Sequence, residues 1–455
     1  MSSVSFVTAG NLHWTRRPGR ELLKLAWPIT ISTVSFSAMT LVSTAFVASV
    51  GADELAGVGL GGVVAFALVC FGIGLLRGAK TVISQAVGAQ RRDRIPELLG
   101  AALGLAVLLG IVAVIASRFL APLLPRFCAS ARSGGFAAEY LAWRSLSAPL
   151  VLIYAALREW RYGQGDTRLP MHAALAGNGV NIALAATLIT GFGLGVKGAA
   201  LAAVFGNVTE TLFLAWPVRK EIVRCRWRMD ALRAVWSQGV PNGLQFVLEV
   251  GAFLILTIVV ARMSAVDAAA HQMVLTLINV SFLPAHALSE AAAVLVGQAV
   301  GANQDSLVPV VARRAIILGA SYAALCTFAY ALLGGSIVHA MAAGDPALAA
   351  KATTLIHVGI AFLIADASNV IARGVLRGTG DVRYAAIVGI VTSWLTTPPL
   401  SWLLGVTAGL GVVGGWIGLA VEIFVGASLF WVRVIYGGWR PAAAAARRAI
   451  AGTAV

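Results

Sequence analysis

Apolar stretches of about 20 residues, long enough to cross a hydrocarbon core as helices, recur along the whole chain. Charged or turn-forming breaks mark off twelve: Leu22–Ser49, Gly57–Leu76, Leu98–Ser117, Phe136–Ala156, Pro170–Thr190, Val196–Val218, Val235–Ala261, Ala268–Ala293, Val308–Leu333, Thr354–Ala372, Tyr384–Gly405 and Val412–Ile435. The pattern predicts an all-α polytopic membrane protein with twelve transmembrane helices. Polar residues inside the runs are few and fall in stripes. In the seventh run Asn242, Gln245 and Glu249 stand at i, i+3 and i+7, on one helical face. A carboxylate at mid-span costs about 2.5–3.5 kcal/mol on insertion scales, so this stripe is expected to face protein or water rather than lipid. Asp366, Asn369 and Arg373 repeat that spacing in the tenth run, with Asp366 and Arg373 too far apart along the helix to pair directly. The eighth run carries Gln272, Thr276, Asn279, His286 and Glu290, interrupted by Leu283 and by Pro284, a candidate bend. These read as a cavity wall with Glu290 as a cation ligand and His286 as a titrating neighbour.

Composition agrees: 59% of the residues are hydrophobic and 12% charged, against about 25% charged in soluble domains. The net charge of +15 does not imply a nucleic-acid partner, because Lys and Arg sit in short gaps between apolar runs. Arg91, Arg92, Arg158, Arg161, Arg168, Arg313, Arg314, Arg377 and Arg383 fall in even connections, whereas odd ones hold Arg118, Arg126, Arg132, Lys197, Arg262 and Lys351. The imbalance places both termini in the cytoplasm of a cell inner (plasma) membrane protein. No signal peptide is evident in Met1–Gly19. Cys70, Cys128, Cys225 and Cys326 have neither pairing nor metal spacing and read as packing residues.

The chain repeats itself. Gln85-Ala-Val-Gly-Ala89 returns as Gln298-Ala-Val-Gly-Ala302, Gly163-Gln-Gly-Asp166 as Gly378-Thr-Gly-Asp381, and Gly195-Val-Lys-Gly-Ala199 as Gly411-Val-Val-Gly-Gly415. Trp27-Pro28 returns as Val240-Pro241. Each echo comes 213–216 positions after its first copy, and in the same order. An offset of six helices gives two halves of the same orientation, an architecture of transporters with a site near the midplane. The organisation expected is a cytoplasmic tail (1–20), an N-lobe (21–218), a basic cytoplasmic linker (219–234), a C-lobe (235–436) and a cytoplasmic tail (437–455). The Gly-rich GQGD and GTGD segments follow no strand and lack the lysine of a phosphate-binding loop, so they read as helix-to-helix turns. Glu210 and Glu422 also correspond, which suggests a shared structural role, and Arg144 in the fourth run is expected to pair within the membrane.

Taken together, Gly239-Val-Pro-Asn-Gly-Leu-Gln-Phe-Val-Leu-Glu-Val-Gly-Ala-Phe253, Ala270-His-Gln272, the two Gln-Ala-Val-Gly-Ala turns and Arg373-Gly-Val-Leu-Arg-Gly-Thr-Gly-Asp381 resemble the multidrug and toxic compound extrusion (MATE) transporters. The likeness covers nearly the whole chain and is nearest the NorM-like branch in the C-lobe. It implies a monomeric secondary exporter of drug-like, cationic or amphiphilic molecules, with two lobes around a central cavity in lipid. Coupling is to a proton or a sodium ion, and the resemblance implies no other cofactor. On the same basis Glu249 and Asp366 match the family's coupling acids and are candidates for either ion, joined by Glu290. Asn242, Gln245, Gln272, Asn279, His286, Asn369 and Asn181 are candidates for the substrate cavity, and Phe36, Phe246, Phe253, Phe282 and Trp394 for ring contacts with a flat cation. The chain departs from the family in its first half. Ser43 stands where an aspartate is usual, and Ala185, after Asn181, where a branch has another. Ion coupling is therefore expected in the C-lobe. A lipid-linked precursor flippase and an organic-anion exporter remain alternatives within the superfamily. An enzyme is not expected, because His271 and His286 form no metal-ligand motif.

Overall fold

A computed structural model describes residues 12–128 and 130–451. Twelve helices are long and apolar enough to span a membrane: α1 Pro18–Ala48, α2 Ala52–Gly88, α3 Arg94–Phe127, α4 Ala131–Gly163, α5 Arg168–Gly191, α6 Gly195–Val223, α7 Met229–Ala261, α8 Ala265–Gly301, α9 Leu307–Met341, α10 Pro346–Thr379, α11 Val382–Thr407 and α12 Val412–Ile435. A short helix, α13 (Arg440–Ala451), follows. Each of the twelve apolar runs lies on one of these helices, and most helices outrun the apolar stretch. Polar residues continue the backbone hydrogen-bond ladder past the apolar segment, as from Leu76 to Gly88 in α2. Pro28, Pro241 and Pro284 lie inside helices that continue through them.

The repeat is written in the backbone. Gly165 and Gly380, the third residues of GQGD and GTGD, both adopt left-handed φ, 84° and 87°. Gln90 and Asn303, just after the two Gln-Ala-Val-Gly-Ala segments, both have φ 58°. The last turns of α5 (Ala186–Gly191) and α11 (Ser401–Thr407) are both π-helical. Gly195 and Gly411, opening α6 and α12, again take positive φ. Side chains other than glycine rarely populate this region, so matching exceptions at matching sites argue for one ancestral unit used twice.

Packing divides the chain into two units, Pro28–Ile83 with Arg91–Gly243, and Met1–Trp27 with Ser84–Gln90 and Leu244–Val455. In the first, Val47, Ala185, Ile189 and Ala202 form one apolar cluster and Ala121, Leu124, Ala137 and Leu141 another. In the second, a larger core joins Leu256 and Val260 of α7, Val274 and Ile278 of α8, Phe362 of α10 and Trp416 of α12. There α8 and α10 approach closely. A Cβ on Gly374 or Gly378 would press on the backbone carbonyls of Ser289 or Ala293, and the Ser289 hydroxyl donates to the Val370 carbonyl at 2.6 Å.

Candidate functional site

In the second unit α7, α10, α11 and α12 gather the charged residues of their apolar spans. Glu249 of α7 faces Arg373 of α10, whose Nη1 lies 3.0 Å from Oε1 and 2.9 Å from Oε2. The pair extends both ways. Gln245, one turn before Glu249, donates Nε2 to Oε1 at 2.9 Å and accepts from Arg377 Nη2 at 3.1 Å. Arg373 Nη2 donates to Asn369 Oδ1 at 3.0 Å, and Asn369 Nδ2 donates to the Ile423 carbonyl of α12 at 3.2 Å. Two glycines make room for this chain. A Cβ on Gly389 of α11 would collide with Gln245 and Glu249, and one on Gly426 of α12 with Asn369 Nδ2. The Phe430 ring lies under the guanidinium, its centroid 5.4 Å from Cζ, a cation–π contact.

Two more carboxylates border the pair. Glu422 of α12 accepts a hydrogen bond from the Thr397 hydroxyl of α11 and lies within electrostatic reach of Glu249, Arg373 and Asp366. Asp366, two turns before Arg373, is partly buried and within electrostatic reach of that guanidinium. Among the described residues, no hydrogen bond is made by the Asp366 side chain. Three acids and two arginines, Arg373 and Arg377, thus share a membrane-embedded neighbourhood, with the ion pair satisfying only Glu249.

The other sequence candidates are scattered along the helices. On α8, Gln272, Thr276 and Asn279 are exposed, while two turns further on His286 Nε2 lies 3.8 Å from Glu290 Oε1. Phe282 leans on the His286 ring and Phe253 stacks on His271, whose Nδ1 accepts from Trp416 Nε1 at 3.0 Å. Trp394 donates to the Leu248 carbonyl and Phe36 is exposed. Asn242 belongs to the first unit, buried, with Nδ2 bonded to the Gln238 carbonyl at 3.0 Å. Asn181, also in the first unit, accepts from the Ser43 hydroxyl at 2.9 Å, and Ala185 is packed in the apolar cluster with Val47. Where relatives are expected to hold acids, this chain has a neutral hydrogen bond and a methyl.

Sequence reasoning placed Arg373 on the right face and left it without a partner. The signal was the arginine itself, since a guanidinium at membrane depth demands a counter-charge; which acid answers depends on how α7 and α10 pack. The buried Lys80–Glu159 pair, 3.5 Å apart, was missed altogether. Among the described residues, no three His, Cys, Asp or Glu side chains are arranged to hold a metal ion.

The MatE family model matches twice, over residues 28–187 and 241–403. The chain belongs to the MatE family. Each match falls within one copy of the internal repeat. Relatives of this MatE protein include probable multidrug resistance proteins NorM of Pseudomonas putida, 30% identical across 89% of this chain and 91% of the relative, and of Bradyrhizobium diazoefficiens, 30% identical across 91% and 92%. Its fold is that of a MOP superfamily transporter from Pyrococcus furiosus (TM-score 0.85, 20% identity, 94% of this chain and 97% of that one). It is equally that of a multidrug resistance MATE transporter solved in an outward-facing conformation (TM-score 0.85, 20% identity, 93% and 97%). This MatE chain is a multi-pass membrane protein.

Proposed function

We propose that this protein is a secondary active exporter of drug-like, cationic or amphiphilic compounds, driven by antiport with protons or sodium ions. The substrate class is carried over from relatives described as multidrug resistance proteins. The observation that carries the coupling is the cluster of Glu249, Asp366 and Glu422 inside apolar spans. Acids at that depth are costly and are retained where an ion pathway needs them. An incoming cation neutralises an acid and weakens its hold on a cationic substrate, so ion and substrate compete, as exchange requires. Glu290 is a further coupling acid, and His286 beside it, with the exposed Gln272 and Asn279, supplies a second polar surface for substrate. The protein acts as a monomer in the lipid of the inner (plasma) membrane, with both termini and the 219–234 linker cytoplasmic. Its activity is transport rather than catalysis, with no cofactor beyond the coupling ion.

Glu249→Gln, reconstituted in proteoliposomes, is expected to abolish ethidium efflux driven by an imposed pH or sodium gradient while the protein keeps its elution profile. Wild-type rates in that variant would refute the coupling role.

A further inference from the structure

We propose that Arg373 is a tethered counter-ion that occupies Glu249 between transport cycles, so that the driving cation loads by displacing a side chain. The inference rests on the reading of Glu249 as a coupling acid. Its observation is independent: one guanidinium nitrogen touches both oxygens of that acid. A proton or metal cation binding Glu249 must replace these charge-assisted bonds, which are roughly twice as strong as neutral ones.

The surroundings are arranged for exchange rather than for a permanent clamp. Glu249 is 21% exposed and Arg373 17%, so neither is sealed away from an arriving ion. Arg373 keeps a second anchor on Asn369 and rests on the Phe430 ring, holding it at the site when Glu249 is neutralised. Its next acids, Asp366 and Glu422, already lie within its electrostatic reach. The charged and polar groups around the pair are therefore Gln245 on α7, Asp366, Asn369 and Arg377 on α10, and Glu422 on α12, with the Thr397 hydroxyl of α11 on Glu422. Loading one cation on Glu249 frees one positive charge beside two acids. A cationic substrate held by those acids then meets competition from Arg373 as well as loss of the Glu249 charge. Arg373 thus acts as a positioning residue that converts ion binding into substrate release.

The test is cation dependence of efflux in Arg373→Gln, Arg373→Lys and Glu249→Gln, with ethidium as substrate and the external proton or sodium concentration varied. An opposite charge at contact changes an acid's cation affinity by about 10- to 1000-fold. Arg373→Gln is expected to lower the half-saturating concentration of the driving cation at least about tenfold, and Arg373→Lys to stay near the parent value. A half-saturation unchanged in Arg373→Gln, with Glu249→Gln inactive, would overturn the counter-ion and leave the coupling acid standing. An active Glu249→Gln would overturn the coupling acid itself. Should Arg373→Gln not fold, thermal unfolding of Arg373→Lys and of the Glu249→Gln/Arg373→Lys double variant decides. The pair requires that the Lys change cost less once Glu249 is gone, and equal costs would overturn it.

Discussion

Glu159→Gln offers a direct measure of how charge is buried in the first unit. Glu159 of α4 is 2% exposed and Lys80 of α2 4%, their charged atoms 3.5 Å apart. Arg158 Nη2 closes on the other Glu159 oxygen at 2.8 Å. At that Lys80 separation the Coulomb attraction, with an effective dielectric near 20, is about 5 kcal/mol. Removing one partner from a buried pair costs about 3–5 kcal/mol, because the remaining charge loses its counter-charge. Glutamine keeps the shape of Glu159 and its ability to accept from Arg158, so the loss is assigned to charge. For a unit of this size, about 2–4 °C of melting temperature goes with each kcal/mol. Glu159→Gln should therefore melt roughly 6–20 °C below the parent, read by fluorescence-detected size exclusion after heating in detergent. Adding Lys80→Met should recover most of that loss, since it removes the buried ammonium that Glu159 had balanced. A melting point within about 1 °C of the parent, or no recovery in the double variant, would refute the reasoning.

Two further expectations are open to simpler tests. Gly374→Ala puts a methyl against the Ser289 backbone where α8 and α10 cross, and should cost about 1–3 kcal/mol in thermal unfolding; Gly335→Ala on α9, with nothing within 4 Å of its Cβ, should be neutral or stabilising by up to about 1 kcal/mol. A protease-cleavable tag placed after Val455 should be cut in inside-out vesicles and protected in right-side-out ones, and the reverse pattern would invert the membrane orientation read from Lys and Arg placement.

The twelve spans and the repeat were legible because both are local. A helix in lipid must satisfy its own backbone groups, so an apolar run of sufficient length already commits to a helix. The duplicated turns need glycine, or a tolerated exception, at a fixed register, and residues such as Gly165 and Gly380 announce that from sequence alone. Helix ends were less legible. The segment before Val235 is polar, yet α7 begins at Met229, because outside the hydrocarbon core a polar helix is no worse than a polar loop. Partners across helices were not legible at all. The i, i+3, i+7 stripe put Gln245 and Glu249 on one face, and a second stripe did the same for Asp366, Asn369 and Arg373. Nothing in either pattern says that the two faces meet, or that Arg373 passes over Asp366, two turns away on its own helix, to reach Glu249 on another.

That crossing changes what the acids in this chain can mean. Read as isolated charges, Glu249 and Asp366 are equivalent candidates for a coupling ion. In the folded unit they differ: Glu249 is held by a guanidinium, whereas the Asp366 side chain makes no hydrogen bond among the described residues and Glu422 is met by a hydroxyl. The first half of the chain has moved the opposite way, with Ser43 and Asn181 bonded to each other and Ala185 packed in an apolar cluster. A membrane span can lose an acid where a neutral hydrogen bond fills the space. The two repeats share a backbone down to the φ of matched turns. What separates them is in part the set of acids gathered around Arg373 in the second.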